Sequence, residues 1–294
     1  MSFDQHFTYK NVSVTVRRDD LLNTHISGNK FRKLKYNLLE ARKQNYSQLL
    51  TFGGAYSNHI AAVAAAGKEH GFSTVGLIRG EELAADSLNP TLRFAASCDM
   101  QLHYLSRADY RLRHEEEFVA LLEKRFGRFY LLPEGGTNAL AVRGCEEILT
   151  PDDASFNYIC VAGGTGGTAA GICNSAALHQ CVLVFSALAG RFLEDEIKKW
   201  TSRRNFRVID EYCFGGYAKI NVELVRFLNS FHREYGIPLD PVYTGKMMFG
   251  ILDMIDSGKI PSGSSVLAVH TGGLQGIEGM NLRLRYKNIE TILC

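Results

Sequence analysis

Short runs of aliphatic and β-branched residues recur through most of the chain, and nearly every pair is separated by a longer stretch with apolar residues at helical spacing. A strand buried on both faces reads as a continuous apolar run, and a parallel neighbour can be reached only through a crossover as long as a helix. The alternation therefore predicts an α/β fold with parallel strands between helices. Strands are expected at 14–16, 48–52, 74–78, 101–105, 129–132, 158–162, 181–186 and 265–270. A helix is expected over 31–42, with Phe31, Leu34, Leu38 and Leu39 on its apolar face and Arg32, Lys33, Lys35 and Arg42 mostly elsewhere. A second, alanine-rich helix is expected over 57–69, after the glycine turn Gly53-Gly54. No Pro/Ser-rich linker, charge block or repeat divides the chain, so a second domain would have to be interleaved with the first.

With 294 residues, 46% of them hydrophobic, the chain can bury one large core or two moderate ones. Thirty-three basic against 31 acidic residues leave a formal charge of +2, too small an excess for a nucleic-acid partner to be expected. The opening MSFDQHFTYKNVSVTVRRDD has no basic start leading into an apolar run, and apolar stretches break well short of the roughly 18 residues of a membrane span. Neither export nor membrane insertion is expected. Seven cysteines without a Cys-x-x-Cys pair or a Cys/His cluster at zinc spacing fit reduced thiols in a cytoplasmic protein with no metal site.

In Cys160-Val-Ala-Gly-Gly-Thr-Gly-Gly-Thr-Ala-Ala-Gly171 a buried strand runs through four glycines and two threonines into a helix. Such a turn can cradle a phosphate: glycines let backbone amides approach the oxygens, the helix start adds partial positive charge, and Thr165 and Thr168 offer hydroxyls. It can equally be a tight turn without a ligand. Neither nucleotide fingerprint fits, since no Gly-Lys-Ser/Thr follows and no acidic ribose partner is evident.

Ser27-Gly28-Asn29-Lys30-Phe31 sets a lysine at the mouth of a helix, where an ammonium is electrostatically disfavoured and amine chemistry becomes reasonable. Most lysines are solvated surface residues, so neighbouring segments must decide for Lys30. Gly28-Asn29-Lys30-Phe31-Arg32-Lys33-Leu34-Lys35-Tyr36 resembles the cofactor-lysine segment of 1-aminocyclopropane-1-carboxylate deaminases and D-cysteine desulfhydrases. Further segments agree in order: Gly53-Gly54-Ala55-Tyr56-Ser57-Asn58-His59, the Gly/Thr loop, Leu239-Asp240-Pro241-Val242-Tyr243-Thr244-Gly245-Lys246, and His270-Thr271-Gly272-Gly273. Together they span nearly the whole chain.

The resemblance implies a tryptophan-synthase-β-like α/β fold (PLP fold type II): two interleaved three-layer domains with parallel-rich sheets. The larger, cofactor-binding domain would comprise 1–32 and 142–294, and the smaller inserted one 33–141. It implies pyridoxal 5'-phosphate bonded covalently to Lys30, with Asn58 on its 3'-oxygen and Thr165, Gly166, Gly167 and Thr168 on its phosphate. A hydroxyl from Thr271 or Thr244 would face the pyridine nitrogen. Ser57, Asn58, His59 and Tyr243 would meet a small amino-acid substrate; Ser57 is also a natural N-cap for the alanine-rich helix. Tyr243 and Tyr217 resemble the family's two active-site tyrosines, and a homodimer is implied.

The cyclopropane deaminases place a glutamate where this chain has Thr244. A carboxylate near the pyridine nitrogen favours the more electron-poor ring, whereas a hydroxyl leaves it closer to neutral. The expected reaction is therefore β-elimination from D-cysteine to pyruvate, ammonia and sulfide. Opening of the cyclopropane amino acid to 2-oxobutanoate and ammonia, an inactive cofactor-binding member and a nucleotide-dependent α/β protein are the alternatives. Two departures from the family stand out: a shorter stretch ahead of the lysine, and Leu274-Gln275 where small apolar residues and proline are expected.

Overall fold

A computed structural model describes residues 3–294. The strands are β1 (Asp4–Tyr9), β2 (Val12–Arg17), β3 (Gln48–Gly54), β4 (Ser73–Arg79), β5 (Gln101–Leu105), β6 (Tyr130–Leu132), β7 (Tyr158–Gly163), β8 (Cys181–Ser186), β9 (Phe206–Ile209) and β10 (Ser265–Val269). They form two sheets, ordered β1-β2-β10-β7-β8-β9 and β5-β4-β3-β6. All pairings are parallel except β1 with β2. That hairpin turns through Lys10 and Asn11, both at positive φ, as a two-residue turn between right-twisted strands requires.

Each sheet is covered on both faces, so successive residues of a strand enter different cores. On β10, Val266 and Ala268 pack with Met247 and Ile251, whereas Leu267 and Val269 pack with Ile159 and Ile172. On β3, Leu49 faces Ile60 and Val63 while Leu50 and Phe52 face Val75 and Leu77. This double burial is why the strands read as unbroken apolar runs.

The expected domain boundaries at 32/33 and 141/142 fall inside the helices Asn29–Lys43 and Ala139–Glu146. These helices pack together closely, with Gly144 against the Arg32 carbonyl. Each of the eight expected strands has its counterpart; β1 and β9, both sheet edges, were not expected. The helix Asn29–Lys43 departs from its expected face: Leu39 is 56% exposed and Lys33 only 2%. Lys33 turns inward because its ammonium finds partners there.

Among the described residues no helix is long and apolar enough to cross a membrane.

Candidate active site

The carboxyl ends of β3, β7 and β10 lead into the segments 53–58, 163–168 and 270–273, the position where parallel sheets bind ligands. Two adjoining cavities open there and share Asn58 and Tyr243 on their walls. Lys30, Lys33, Thr165, Gly166, Thr168 and Thr271 line the first; Ser57, Arg79 and Tyr217 line the second.

Lys30 is held by its neighbours on both sides. Gly28 has φ +62, and a Cβ there would lie 2.0 Å from the Thr271 carbonyl oxygen, so only glycine lets this turn dock on the 270–273 segment. The Asn29 amide donates to that carbonyl at 3.2 Å, and Asn29 Nδ2 donates to Thr168 Oγ1 at 2.8 Å. The Lys30 ammonium donates to Asn29 Oδ1 at 3.1 Å. Burial, reinforced by the charge of Lys33, lowers the Lys30 pKa to about 7. At neutral pH much of this amine carries a lone pair, available as nucleophile or base.

Lys33 lies one turn further along the same face. Its Nζ donates to the Gly135 carbonyl and to Thr137 Oγ1 at 2.9 Å each, and reaches Thr165 Oγ1 at 3.5 Å. Burial lowers its pKa to about 8. Thr137 and Thr165 share a further hydrogen bond of 2.7 Å. The loop itself turns through Gly166 at φ +79 into the helix Gly167–Ser175, presenting free backbone amides and the Thr165 and Thr168 hydroxyls beside the Lys33 ammonium. That donor set suits a doubly charged phosphate.

Ser57 caps the helix Asn58–His70, its Oγ accepting from the amides of His59 and Ile60 at 3.2 and 3.3 Å. The helix start and the Ser57 side chain face the second cavity, which suits a carboxylate. Tyr217 and Tyr243 meet edge to face with ring centroids 6.3 Å apart. Burial raises the pKa of both, that of Tyr243 well above 10. The loop carrying Tyr217 is pinned by Lys246, whose buried ammonium donates to the carbonyls of Cys213 and Gly216 at 2.8 Å each.

Two expected site residues lie elsewhere. Thr244 is fully buried; its hydroxyl donates to Asp240 Oδ1 at 2.8 Å and accepts from the Asp240 amide at 2.9 Å. It completes an N-terminal cap in which the Asp240 carboxylate also accepts from the amides of Val242, Tyr243 and Thr244. Of the two threonines weighed for the pyridine nitrogen, only Thr271 lines a cavity. His59 is also behind the wall, 2% exposed. Thr51 Oγ1 bonds to the Leu132 carbonyl and to His59 Nε2 at 2.9 Å each, which leaves His59 Nδ1 buried without a partner against Gly136. Burial and the nearby lysines hold its pKa well below the usual histidine value.

The Thr244 arrangement carries a prediction. Thr244→Val removes two buried hydrogen bonds and should cost about 1–3 kcal/mol of stability, read as a lower urea midpoint, while leaving the visible absorbance of the cofactor-loaded protein unchanged. A shifted absorbance with full stability would return Thr244 to the cofactor.

Sequence reading missed Asn29, Lys33, Gly135, Thr137 and Lys246. Lys33 was recoverable from its spacing, three residues after Lys30 and so on the same helix face. Gly135 sits in a Gly-Gly turn of the kind that flags a backbone approach. Gln275, in the segment that departs from the family, donates from Nε2 to Asn58 Oδ1 at 2.8 Å, so the departure lands on a site residue.

The chain matches the family described as pyridoxal-phosphate dependent enzyme over residues 7–272. It is 31% identical over 281 residues to a protein of Pyrococcus horikoshii provisionally named 1-aminocyclopropane-1-carboxylate deaminase, covering 90% of this chain and 85% of that one. It is 32% identical over 290 residues to the bifunctional mitochondrial D-cysteine desulfhydrase/1-aminocyclopropane-1-carboxylate deaminase of Arabidopsis thaliana, covering 89% and 72%. A crystal structure of an ACC deaminase homologue superposes with a TM-score of 0.80 at 27% identity, covering 93% of this chain and 88% of that one.

Proposed function

The chain belongs to the pyridoxal-phosphate dependent enzymes, in their fold type II, and from that premise we propose that it is a deaminating lyase of the ACC deaminase/D-cysteine desulfhydrase group, acting by β-elimination on a small amino acid such as D-cysteine. The observation that carries the proposal is the half-buried Lys30 amine, poised near neutrality on the wall of a cavity that also takes in a phosphate-type cradle. The donor set fits the cofactor. Thr165, Gly166, Gly167, Thr168 and Lys33 would hold its phosphate, Asn58 its 3'-oxygen, Thr271 its ring nitrogen, and Lys30 its carbonyl carbon. When bound, the cofactor supplies an electron sink for charge developing at the substrate Cα.

The chain's own residues supply the rest. Ser57 and the start of the Asn58–His70 helix bind and orient the substrate carboxylate. The Lys30 amine would take the Cα proton. Tyr243, whose hydroxyl keeps its proton at neutral pH because burial disfavours the phenolate, donates to the departing group, with Tyr217 packed beside it. The first cavity has no carboxylate among its lining residues; this supports a near-neutral pyridine nitrogen, and hence β-elimination over ring opening. The reading also places the enzyme in the cytoplasm, as its seven free cysteines support, and takes it to be a homodimer by analogy.

The test is release of pyruvate and sulfide from D-cysteine, with L-cysteine and the cyclopropane amino acid in parallel. Turnover of D-cysteine is expected; 2-oxobutanoate from the cyclopropane substrate as the sole product would overturn the β-elimination assignment.

A further inference from the structure

The second cavity holds two cations that the reaction above does not use. Arg79 ends β4, where the parallel register places it beside Gly54 of β3, and its Nη2 lies 4.0 Å from where Gly54 would carry a Cβ. It therefore stands next to the 54–57 turn that leads into Ser57. Arg283, on the helix Gly276–Tyr286, lines the same cavity. Both are exposed. Among the described residues neither forms a salt bridge or a side-chain hydrogen bond, unlike Arg113 with Glu134 and Arg107 with Glu82. Arg79 lies over the Tyr110 ring at 5.7 Å, a contact that leaves its donors free. The acidic residue on this wall, Asp240, is already committed to the amides and hydroxyl of its own helix cap.

A substrate carboxylate at the Ser57 helix start accounts for one anion. Two further guanidiniums without a protein partner line the same cavity and can receive a second anionic group of the substrate, since planar guanidinium forks match carboxylate, sulfonate or phosphate oxygens. We propose that the substrate of this site is a small β-substituted amino acid whose leaving group itself carries negative charge, read by Arg79 and Arg283. The inference rests on the lyase reading and narrows its substrate class. For a phosphate ester the reaction balances without a co-reactant other than water: the Cα proton is lost, the Cβ–O bond breaks with its electron pair leaving on phosphate, and one water completes hydrolysis to pyruvate and ammonia.

The experiment uses the cofactor-loaded enzyme and has two arms. In the first, the change in cofactor absorbance is titrated with aspartate and with asparagine, each as both enantiomers; neither needs to react. Aspartate is expected to bind about tenfold more tightly or better, and Arg79→Gln or Arg283→Gln to erase that preference without changing asparagine binding. Raising ionic strength should also reduce it. Equal affinities, no binding of either, or an equal loss for both amino acids in Arg79→Gln overturns the proposal; the last outcome would assign Arg79 to the substrate α-carboxylate. In the second arm, pyruvate release from O-phosphoserine is compared with release from O-acetylserine and D-cysteine. Faster turnover of the phosphate ester, lost in the arginine variants through KM, supports the proposal. Turnover of only the uncharged substrates overturns it and leaves the lyase reading intact. No turnover of any of them, with the aspartate preference retained, overturns the lyase reading instead.

Discussion

Lys30→Ala should lower kcat by about 10³-fold or more, with the protein still folded. Alanine is the best helix former, and the position lies in the first turn of a helix anchored independently by Asn29 and Gly28, so structure should survive the change. What is lost is both covalent attachment of the cofactor and the base for the Cα proton, each of the order that acid–base and nucleophilic groups contribute. The loaded variant should lack the visible band of the wild type. The cofactor-free wild type allows a second reading of the same residue. A pKa near 7 in place of 10.5 raises the neutral fraction at pH 7 roughly a thousandfold. An amine-reactive reagent should then label Lys30 ahead of the surface lysines, with a half-maximal rate near pH 7. Labelling no faster than at exposed lysines, or turnover retained in Lys30→Ala, would remove Lys30 from the chemistry.

Lys33→Met should weaken cofactor binding by about 10- to 100-fold, the range expected when a charged donor to phosphate is lost, while kcat at saturating cofactor falls much less. The same substitution should change how the cofactor-free protein responds to pH. Lys33 loses its proton near pH 8 in the folded chain and near 10.5 in the unfolded one. Between those values the unfolded state binds more protons, so this lysine makes the wild type more stable as pH rises through that window, by up to about 1.4 kcal/mol per pH unit. The variant should lack that component, and binding of the phosphate beside Lys33 should suppress it in the wild type. Urea midpoints from pH 7.5 to 10 would show it; identical slopes for wild type and variant would mean the ammonium is not buried in solution.

The sequence was most legible where one physical demand ruled. Strands buried on both faces left continuous apolar runs, and Gly53-Gly54, Gly163-Gly164 and Gly166-Gly167 punctuated the turns that end them. Edge strands carry no such signature. Asp4–Tyr9 is half exposed along most of its length, and Phe206–Ile209 has only four residues, so neither stands out from a loop. Lys33 and Leu39 were assigned to the wrong sides of their helix because helical periodicity treats every lysine as polar and outward. It has no term for an ammonium whose partners, Gly135 and Thr137, come from a segment a hundred residues away. Thr244 was misread for the opposite reason: its neighbour in a motif, Tyr243, does line the cavity, whereas one step along a helix start turns the next side chain towards Asp240. Arg79 and Arg283 sit in no motif at all; only the register of β3 with β4 and the path of the final helix bring them together.

The pairing of β2 with β10, Val14 beside Val266, fixes when this protein can exist during its synthesis. Roughly 250 residues must be translated between those partners, on the order of ten to fifty seconds at ribosomal rates. Throughout that interval β2 has an open edge. The sheet made from β3 to β6 meets no such delay, because its strands follow one another in the chain and its two cores are drawn largely from the same stretch. It can assemble while the rest is still being made. Lys30 is therefore among the first site residues to leave the ribosome, and Thr271, against whose carbonyl the neighbouring Asn29 amide must dock, among the last, so the nascent chain holds a finished half-site wall long before it has anywhere to keep a cofactor.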